Sequence, residues 1–250
     1  MGRVIERAST GVRQWVRRFF FRGMDGRQYE FERRNVEVGS GGRLDRLLNL
    51  LAYTKTSGSA YSASQYPAGY HTLVLDDRVL VGQRLPSARL DLLPISLEGL
   101  AVLDVGCNQG GMLFEAERRG IRWGVGVDYD ARMVNAANKV RQYRGIGSLD
   151  FFVFDLEKEQ LPLLHDFLPE EPVDVVFLLS VCMWIGNWQD VIRFCSRLAP
   201  RMLFESNGSD EQQDAQLKCL MDNFEKVNTL QLTSNDDDGQ KRRRLYFCMR

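Results

Sequence analysis

The chain has no excess of charge of either sign, no apolar run approaching membrane-spanning length, no closely spaced pair of cysteines and no internal repeat. Lys plus Arg and Asp plus Glu are each 33, so no overall field draws nucleic acid or acidic substrates, and any such preference must come from a local patch. Without a long apolar run an integral membrane segment is not expected. The five cysteines, Cys107, Cys182, Cys195, Cys219 and Cys248, are odd in number and lack metal-ligand spacing. They read as the reduced thiols of an intracellular, cytoplasmic protein, and no metal is expected. What remains, 250 residues with 44% apolar and 26% charged positions, suits one large domain with an extension.

The informative stretch is Ala101 to Leu113, reading AVLDVGCNQGGML. Ala101 to Val105 is apolar and β-branched except at Asp104; glycines follow at once, and Met112, Leu113 and Ala116 then recur with helical period. The pattern predicts a buried strand turning directly into a helix. Gly106 and Gly110 would let the backbone pass close to a ligand, and the N–H groups opening the helix would offer it donors. A dinucleotide fingerprint has glycine where Asn108 stands and needs no acid at Asp104, so the turn points away from a pyrophosphate.

Downstream, strand and helix patterns alternate. Strand Gly124 to Asp128 leads to helix Ala131 to Tyr143, strand Leu149 to Phe154 ends at Asp155, and strand Val173 to Leu179 ends at Ser180. Val191, Ile192, Cys195 and Leu198 mark a further helix, and Met202 to Phe204 the next strand. This alternation predicts an α/β fold with a parallel sheet covered on both faces and ligands at the carboxyl ends of its strands, where Asp104, Asp128, Asp155 and Ser180 fall. A strand-terminal acid is otherwise a helix cap, but recurrence at three successive strands favours a ligand. Ala215, Leu217, Leu220, Met221 and Phe224 mark the last helix, and Lys226 to Leu232 and Arg244 to Cys248 read as a closing hairpin. The runs Asp236 to Asp238 and Lys241 to Arg244 read as solvated turn and edge-strand charges.

Asp104-Val105-Gly106-Cys107-Asn108-Gln109-Gly110 resembles the glycine-rich motif of class I S-adenosylmethionine-dependent methyltransferases. The resemblance implies a Rossmann-like, mostly parallel seven-stranded sheet with one antiparallel strand, preceded here by a helical N-terminal extension. It implies S-adenosylmethionine as cofactor, with Asp104, Gly106, Asn108 and Gly110 at its amino-acid end and Asp128 on the ribose hydroxyls. Asp155 then caps the adenine amino group, Phe154 or Leu156 packs on the ring, and Tyr129, Met133 and Ser180 complete the set. Carboxylates suit a ligand carrying a sulfonium, an ammonium and ribose hydroxyls, each such charge-assisted bond being worth roughly 1.5–3 kcal/mol.

The resemblance implies a methyltransferase domain over residues 70–250, preceded by a helical extension and loop over residues 1–69. Arg3 to Arg22 is Arg-rich with a single acid, Glu6, and on a helix its apolar residues Ile5, Val12, Trp15 and Phe19 share one face. A helix packed on the domain, a peripheral membrane contact, an RNA-binding arm and a transit peptide all fit that pattern. Leu44, Leu47, Leu48 and Leu51 predict a second helix, and residues 55–69 a loop whose Tyr61 and Tyr66, with Tyr70, either line a substrate entrance or pin the loop down. Leu73 to Leu75 and Val79 to Val81 predict a hairpin. Tyr70-His71-Thr72-Leu73 followed by a Gly82-Gln83-Arg84 turn resembles the subgroup that includes the wobble-uridine modifying enzymes of tRNA. In that setting Arg84 pairs with the cofactor carboxylate; otherwise it is exposed on a turn.

Methyl transfer is an in-line displacement in which the enzyme chiefly aligns donor and acceptor. A hydroxyl acceptor needs a base, and His71 and Glu205 are the candidate catalytic residues, against plain structural roles as a hydrogen-bonded strand histidine and an arginine-paired carboxylate. After Ser180 the chain reads Val181-Cys182-Met183-Trp184-Ile185-Gly186-Asn187-Trp188, without the Pro-Pro-aromatic motif of nitrogen methylation, and no Pro-Cys dipeptide exists for cytosine C5 chemistry. Trp184 and Trp188 form either an acceptor wall or core filler. The expected reaction is O-methylation of a small hydroxylated or sugar-like molecule. The alternatives are an RNA (tRNA) acceptor held by the Arg-rich arm, or a non-catalytic binding module.

Overall fold

The computed structural model describes residues 42–55, 65–75, 78–233 and 243–250. The Arg-rich segment, Tyr61 and the turn at residues 234–242 lie outside the described residues. The chain divides into two compact units, Met1–Asn49 and Leu50–Arg250. The second begins upstream of the boundary expected at residue 70, inside helix α1 (Arg43–Thr54).

Central in the second unit is β5 (Ala101–Val105), every residue of which is buried. A strand covered on both faces must be apolar throughout, which is why AVLDV shows no alternation and why its one acid stands out. Its parallel neighbours are β6 (Trp123–Asp128) and β8 (Val175–Leu179); β7 (Leu149–Val153) lies beyond β6, and β9 (Arg201–Glu205) beyond β8. The closing hairpin, β10 (Lys226–Gln231) and β11 (Leu245–Met249), completes a seven-stranded sheet of order β10-β11-β9-β8-β5-β6-β7. β11 alone runs against its neighbours. The expected α/β architecture is therefore present, with strand ends within two residues of those read from the pattern.

Period-two alternation sorts β5 between two cores. Leu103 and Val105 join a cluster with Val176, Leu178, Met202 and Phe204, covered by α5 (Trp188–Leu198) and α6 (Asp210–Asn223) through Val191, Ile192, Cys195 and Leu220. The opposite face is covered by α3 (Gly111–Arg118) and α4 (Ala131–Arg144). Ser209 caps α6 in a capping box with Gln212, and Asp130 caps α4 by accepting from the Arg132 N–H.

The segment before the sheet departs from expectation at one point. β1 (Gly69–His71) pairs in parallel with β4 (Gly82–Arg84), and the antiparallel hairpin β2 (Leu73–Leu75) and β3 (Arg78–Leu80) is the crossover between them. Gly82-Gln83-Arg84 is thus a fully buried strand rather than a turn. Glycine is required there because a Cβ at residue 82 would stand 2.2 Å from the carbonyl carbon of His71. That pairing is tertiary, and a Gly-Gln dipeptide carries no local sign of it. The short helix α2 (Pro86–Leu90), with proline in its first turn, then leads towards β5.

Candidate active site

Between β5 and α3 the backbone turns left-handed three times in five residues, at Gly106 (φ 82°), Asn108 (φ 51°) and Gly110 (φ 76°). Asparagine is among the few other residues that tolerate this conformation. The Gly106 and Cys107 N–H groups both donate to the Val127 carbonyl, at 2.8 and 2.9 Å, tying the turn to β6. A Cβ at Gly110 would come within 2.6 Å of the Phe151 ring, and one at Gly106 within 2.4 Å of Val181. The space is filled from within, so these glycines serve the turn's conformation and packing before any ligand. Gly106 and Asn108 stay half-exposed while Gly110 is buried.

Two carboxylates border the turn. Asp128 ends β6; its Oδ2 accepts from the Asn108 N–H at 2.8 Å and its Oδ1 from the Asp130 N–H at 2.9 Å. Burial raises its pKa against the pull of those N–H bonds. Each oxygen still has acceptor capacity for a hydroxyl donor. Asp104 is 2% exposed, and its Oδ2 has no hydrogen-bond partner. Burial, and secondarily the charge of Asp128, pushes its carboxyl up to about 8. Unpartnered buried polar atoms are uncommon because leaving one costs about 1–3 kcal/mol. Asp104 lies one residue before the end of β5, immediately ahead of the left-handed turn.

Gln109 is a residue that pattern reading passed over. Fully buried, it accepts from the His71 N–H at 3.4 Å through Oε1 and donates to Thr54 Oγ1 at 2.5 Å through Nε2. It fastens β1 and the end of α1 to the turn. The available signal was a large polar side chain inside a glycine-rich stretch. His71 is buried, with its ring packed against Gly111, where a Cβ would stand 2.4 Å from its own Cβ, and edge-on to Tyr70 at 4.7 Å. Arg84 is 2% exposed, its guanidinium 5.5 Å from the centre of the Tyr70 ring, so it is not the exposed turn residue of the alternative reading.

A polar cluster caps the ends of β8 and β9. Ser180, left-handed at φ 58°, donates its hydroxyl to Glu205 Oε2. Arg89 of α2 donates Nε and Nη2 to Glu205 Oε1 at 3.0 and 2.9 Å. Arg243 donates Nη1 to Ser180 Oγ at 3.0 Å and stands 3.8 Å from Glu205 Oε2. Asn207 donates to the Ser180 carbonyl at 2.5 Å and accepts from the Met183 N–H at 2.9 Å. Glu205 is thus an arginine-paired carboxylate. Arg243, read as one of several solvated charges, has a side chain only 11% exposed; Arg244 does face outward, pairing with Asp214 at 2.5 Å. Neither Arg89 nor Asn207 sits in a recognisable motif.

The remaining expected residues lie along the ends of β6 and β7. Tyr129 is exposed and Met133 buried in α4. Asp155 is partly exposed; its side chain accepts from Lys158 Nζ at 2.7 Å, which holds its pKa below the usual range, and from the Glu157 N–H at 3.1 Å. Phe154 and Leu156 belong to the core cluster, Phe154 edge-on to Phe167 at 6.0 Å. The tryptophans divide: Trp188 packs against that cluster, whereas Trp184 is 71% exposed just beyond Ser180. All five cysteines are free and buried, and among the described residues no group of His, Cys, Asp and Glu is placed to hold a metal. A separate cavity of about 230 Å³ between the β2–β3 hairpin and helices α3 and α4 shares only Gly111 with the turn.

These features coincide with what is similar among known proteins. A family described as a methyltransferase domain matches residues 103–200, from within β5 to just past α5. Aklanonic acid methyltransferase DauC of Streptomyces sp. (strain C5) is 30% identical over 103 residues, 40% of this chain and 47% of that protein. The chain thus spans about half the length of the curated relative it matches. Among solved structures, the N-terminal domain of EvdMO1, crystallised in the presence of SAH and D-fucose, aligns with a TM-score of 0.51 at 10% identity over 66% of this chain and 80% of that one. WbdD, solved with a kinase inhibitor, aligns with a TM-score of 0.54 at 17% identity over 67% of this chain and 41% of that one. At such identity the structural likeness speaks for the fold. Sheet order, glycine turn and strand-end acids agree with that match: residues 103–200 are similar to a methyltransferase domain, and the sheet that holds them has the class I methyltransferase fold.

Proposed function

We propose that the chain transfers a methyl group from S-adenosylmethionine to an oxygen of a small molecule. The observation that carries this reading is Asp104, a buried carboxylate with one oxygen unpartnered beside a left-handed turn. Its environment is costly for a structural residue and fitting for one that meets a ligand's ammonium group. In this reading Asp104, Gly106 and Asn108 hold the amino-acid end of the cofactor, with Gly110 shaping the turn and Arg84 taking the carboxylate. Asp128, fixed by two backbone N–H groups, takes the ribose hydroxyls. Tyr129, Met133, Phe154, Asp155 and Leu156 surround the adenine end, with Ser180 at the opposite rim. When bound, the cofactor supplies a methyl carbon activated by a positive sulfur.

The chain's own contribution is alignment and exclusion of water. Glu205 is tied to Arg89 and Ser180, which makes it a poor general base and a good anchor for the rim. His71 is the remaining candidate for proton removal from a hydroxyl acceptor. The small-molecule reading draws on the printed substrate of DauC and on the sugar present with EvdMO1. The buried free thiols suit a cytoplasmic setting, and among the described residues no helix is long and apolar enough to cross a membrane.

Turnover of methyl-labelled cofactor over a metabolite panel and over total tRNA tests the proposal. Label in a small molecule supports it. Label in tRNA that falls steeply with salt supports RNA as acceptor instead. Cofactor binding with no turnover on either overturns the catalytic reading in favour of a binding module.

A further inference from the structure

We infer that Arg243 reads a carboxylate on the methyl acceptor; this rests on the methyl-transfer reading above and names its substrate class. Arg243 reaches the C-terminal ends of β8 and β9, where ligands of parallel sheets bind. The charge pattern of the cluster is uneven there. Glu205 Oε1 takes two bonds from Arg89, and Oε2 takes one from Ser180. The anion is therefore already matched by one guanidinium and one hydroxyl. Arg243 lies 3.8 Å from Oε2, beyond hydrogen-bonding range, and its bond within the cluster is a single one to the neutral Ser180 Oγ.

A guanidinium has five donors in a fixed fork, and this one, 11% exposed, uses one of them in the cluster. Burial of this cation is offset in part by Glu205 at 3.8 Å, an anion it shares with Arg89, so two guanidiniums stand against one carboxylate and a second anion would balance the cluster. The planar fork with its free donors matches a carboxylate bidentately. One unmatched positive charge calls for a monoanion, and a phosphate dianion would meet repulsion from Glu205 a few ångströms away. Trp184, exposed four positions beyond Ser180, offers an apolar surface for the body of such an acid.

The experiment divides a metabolite extract of cells expressing the chain on an anion-exchange resin at pH 7. The protein is then assayed with methyl-labelled cofactor against the retained fraction, the same fraction after phosphatase, and the flow-through. Label incorporated into the retained fraction and unchanged by phosphatase is the expected result. Arg243→Gln should then lower the rate at limiting acceptor at least tenfold by raising the concentration needed for half-saturation, with Arg243→Lys recovering part of it. Calorimetric affinity for S-adenosylhomocysteine should stay within twofold in both variants, separating loss of acceptor binding from loss of fold. Activity confined to the flow-through, activity abolished by phosphatase, or an unaltered Arg243→Gln profile overturns the assignment. Turnover in no fraction by a protein that still binds S-adenosylhomocysteine overturns the methyl-transfer reading itself, and this inference with it.

Discussion

Asp104→Asn should make the protein more stable and its cofactor weaker-bound, with both effects depending on pH in a defined direction. Burial raises the Asp104 carboxyl from an ordinary 3.8 to about 8. Between those values the folded state keeps a proton that the unfolded chain has released, so folding stability declines as pH rises through this window and levels off above it. At about 1.4 kcal/mol per pH unit, the accumulated cost at pH 7 is on the order of 4 kcal/mol. That is a large share of a typical domain's total of about 5–15 kcal/mol. An amide of the same shape does not titrate, although its buried N–H donors give back about 1–3 kcal/mol if they find no partner. The slope with pH is therefore a cleaner quantity than the difference at any one pH.

Urea unfolding of both proteins from pH 5 to pH 9 measures it. The stability gap between wild type and variant should widen towards pH 8 and then stay constant. Calorimetry with S-adenosylmethionine on the same samples should show affinity falling by about tenfold to a hundredfold in the variant, the equivalent of one lost charge-assisted bond of roughly 1.5–3 kcal/mol. Wild-type affinity should also rise with pH towards 8, because a cationic ligand favours the ionised carboxylate, whereas the variant should lack this dependence. Parallel stability profiles, or equal cofactor affinities, would refute the view of Asp104 as a strained carboxylate kept for a ligand.

Other substitutions test neighbouring parts of the same site. Asp128→Asn keeps an oxygen for the Asn108 N–H yet removes the charge, so cofactor affinity by calorimetry should drop tenfold or more while the thermal midpoint moves by only a few degrees. Gly110→Ala forces a Cβ into the Phe151 ring at φ 76°; left-handed strain of roughly 1–2 kcal/mol and overpacking of about 1–3 kcal/mol should both appear in urea unfolding. Arg89→Met leaves Glu205 buried with Ser180 and with Arg243 at 3.8 Å, beyond hydrogen-bonding range, and should cost about 3–5 kcal/mol in the same assay. A loss below 1 kcal/mol there would mean that Arg243 swings in to replace Arg89, which crystals of the variant would reveal.

The legible part of this chain is the part whose physics is local. A buried parallel strand must be apolar along its whole length, so β5 and β8 announce themselves, and an acid inside such a strand, Asp104, is conspicuous because so few environments tolerate it. The left-handed turn is equally visible, since glycine and asparagine are the residues it needs. What stayed hidden depends on partners brought from far along the sequence. Arg89 meets Glu205 across 116 positions, and Arg243 meets Ser180 across 63. A lone arginine next to a leucine, or one of four basic residues in a row, looks the same whether it ends in water or in a buried cluster. Gly82-Gln83-Arg84 was misleading for a related reason: glycine there answers to the His71 backbone, not to a turn.

This contrast bears on how the two halves of the site differ. Most of the residues proposed to hold the cofactor lie in one continuous run from Asp104 to Leu156, with Arg84 before it and Ser180 where the two halves meet, so the geometry of that run follows from short-range hydrogen bonds such as Asn108 N–H to Asp128. The rim at Ser180 and Glu205 is assembled from α2, the residue after β8, the end of β9 and the segment leading into β11, four segments far apart in the sequence. A fold that keeps one ligand and exchanges the other must keep the first set and leave the second free to change. Methyl donor recognition should accordingly survive substitutions at Arg89, Glu205 and Arg243 that leave the protein folded, while acceptor choice should not. A variant of any of these three that loses S-adenosylhomocysteine affinity and keeps its thermal midpoint would show the two halves to be coupled, and would shift the rim into the cofactor site.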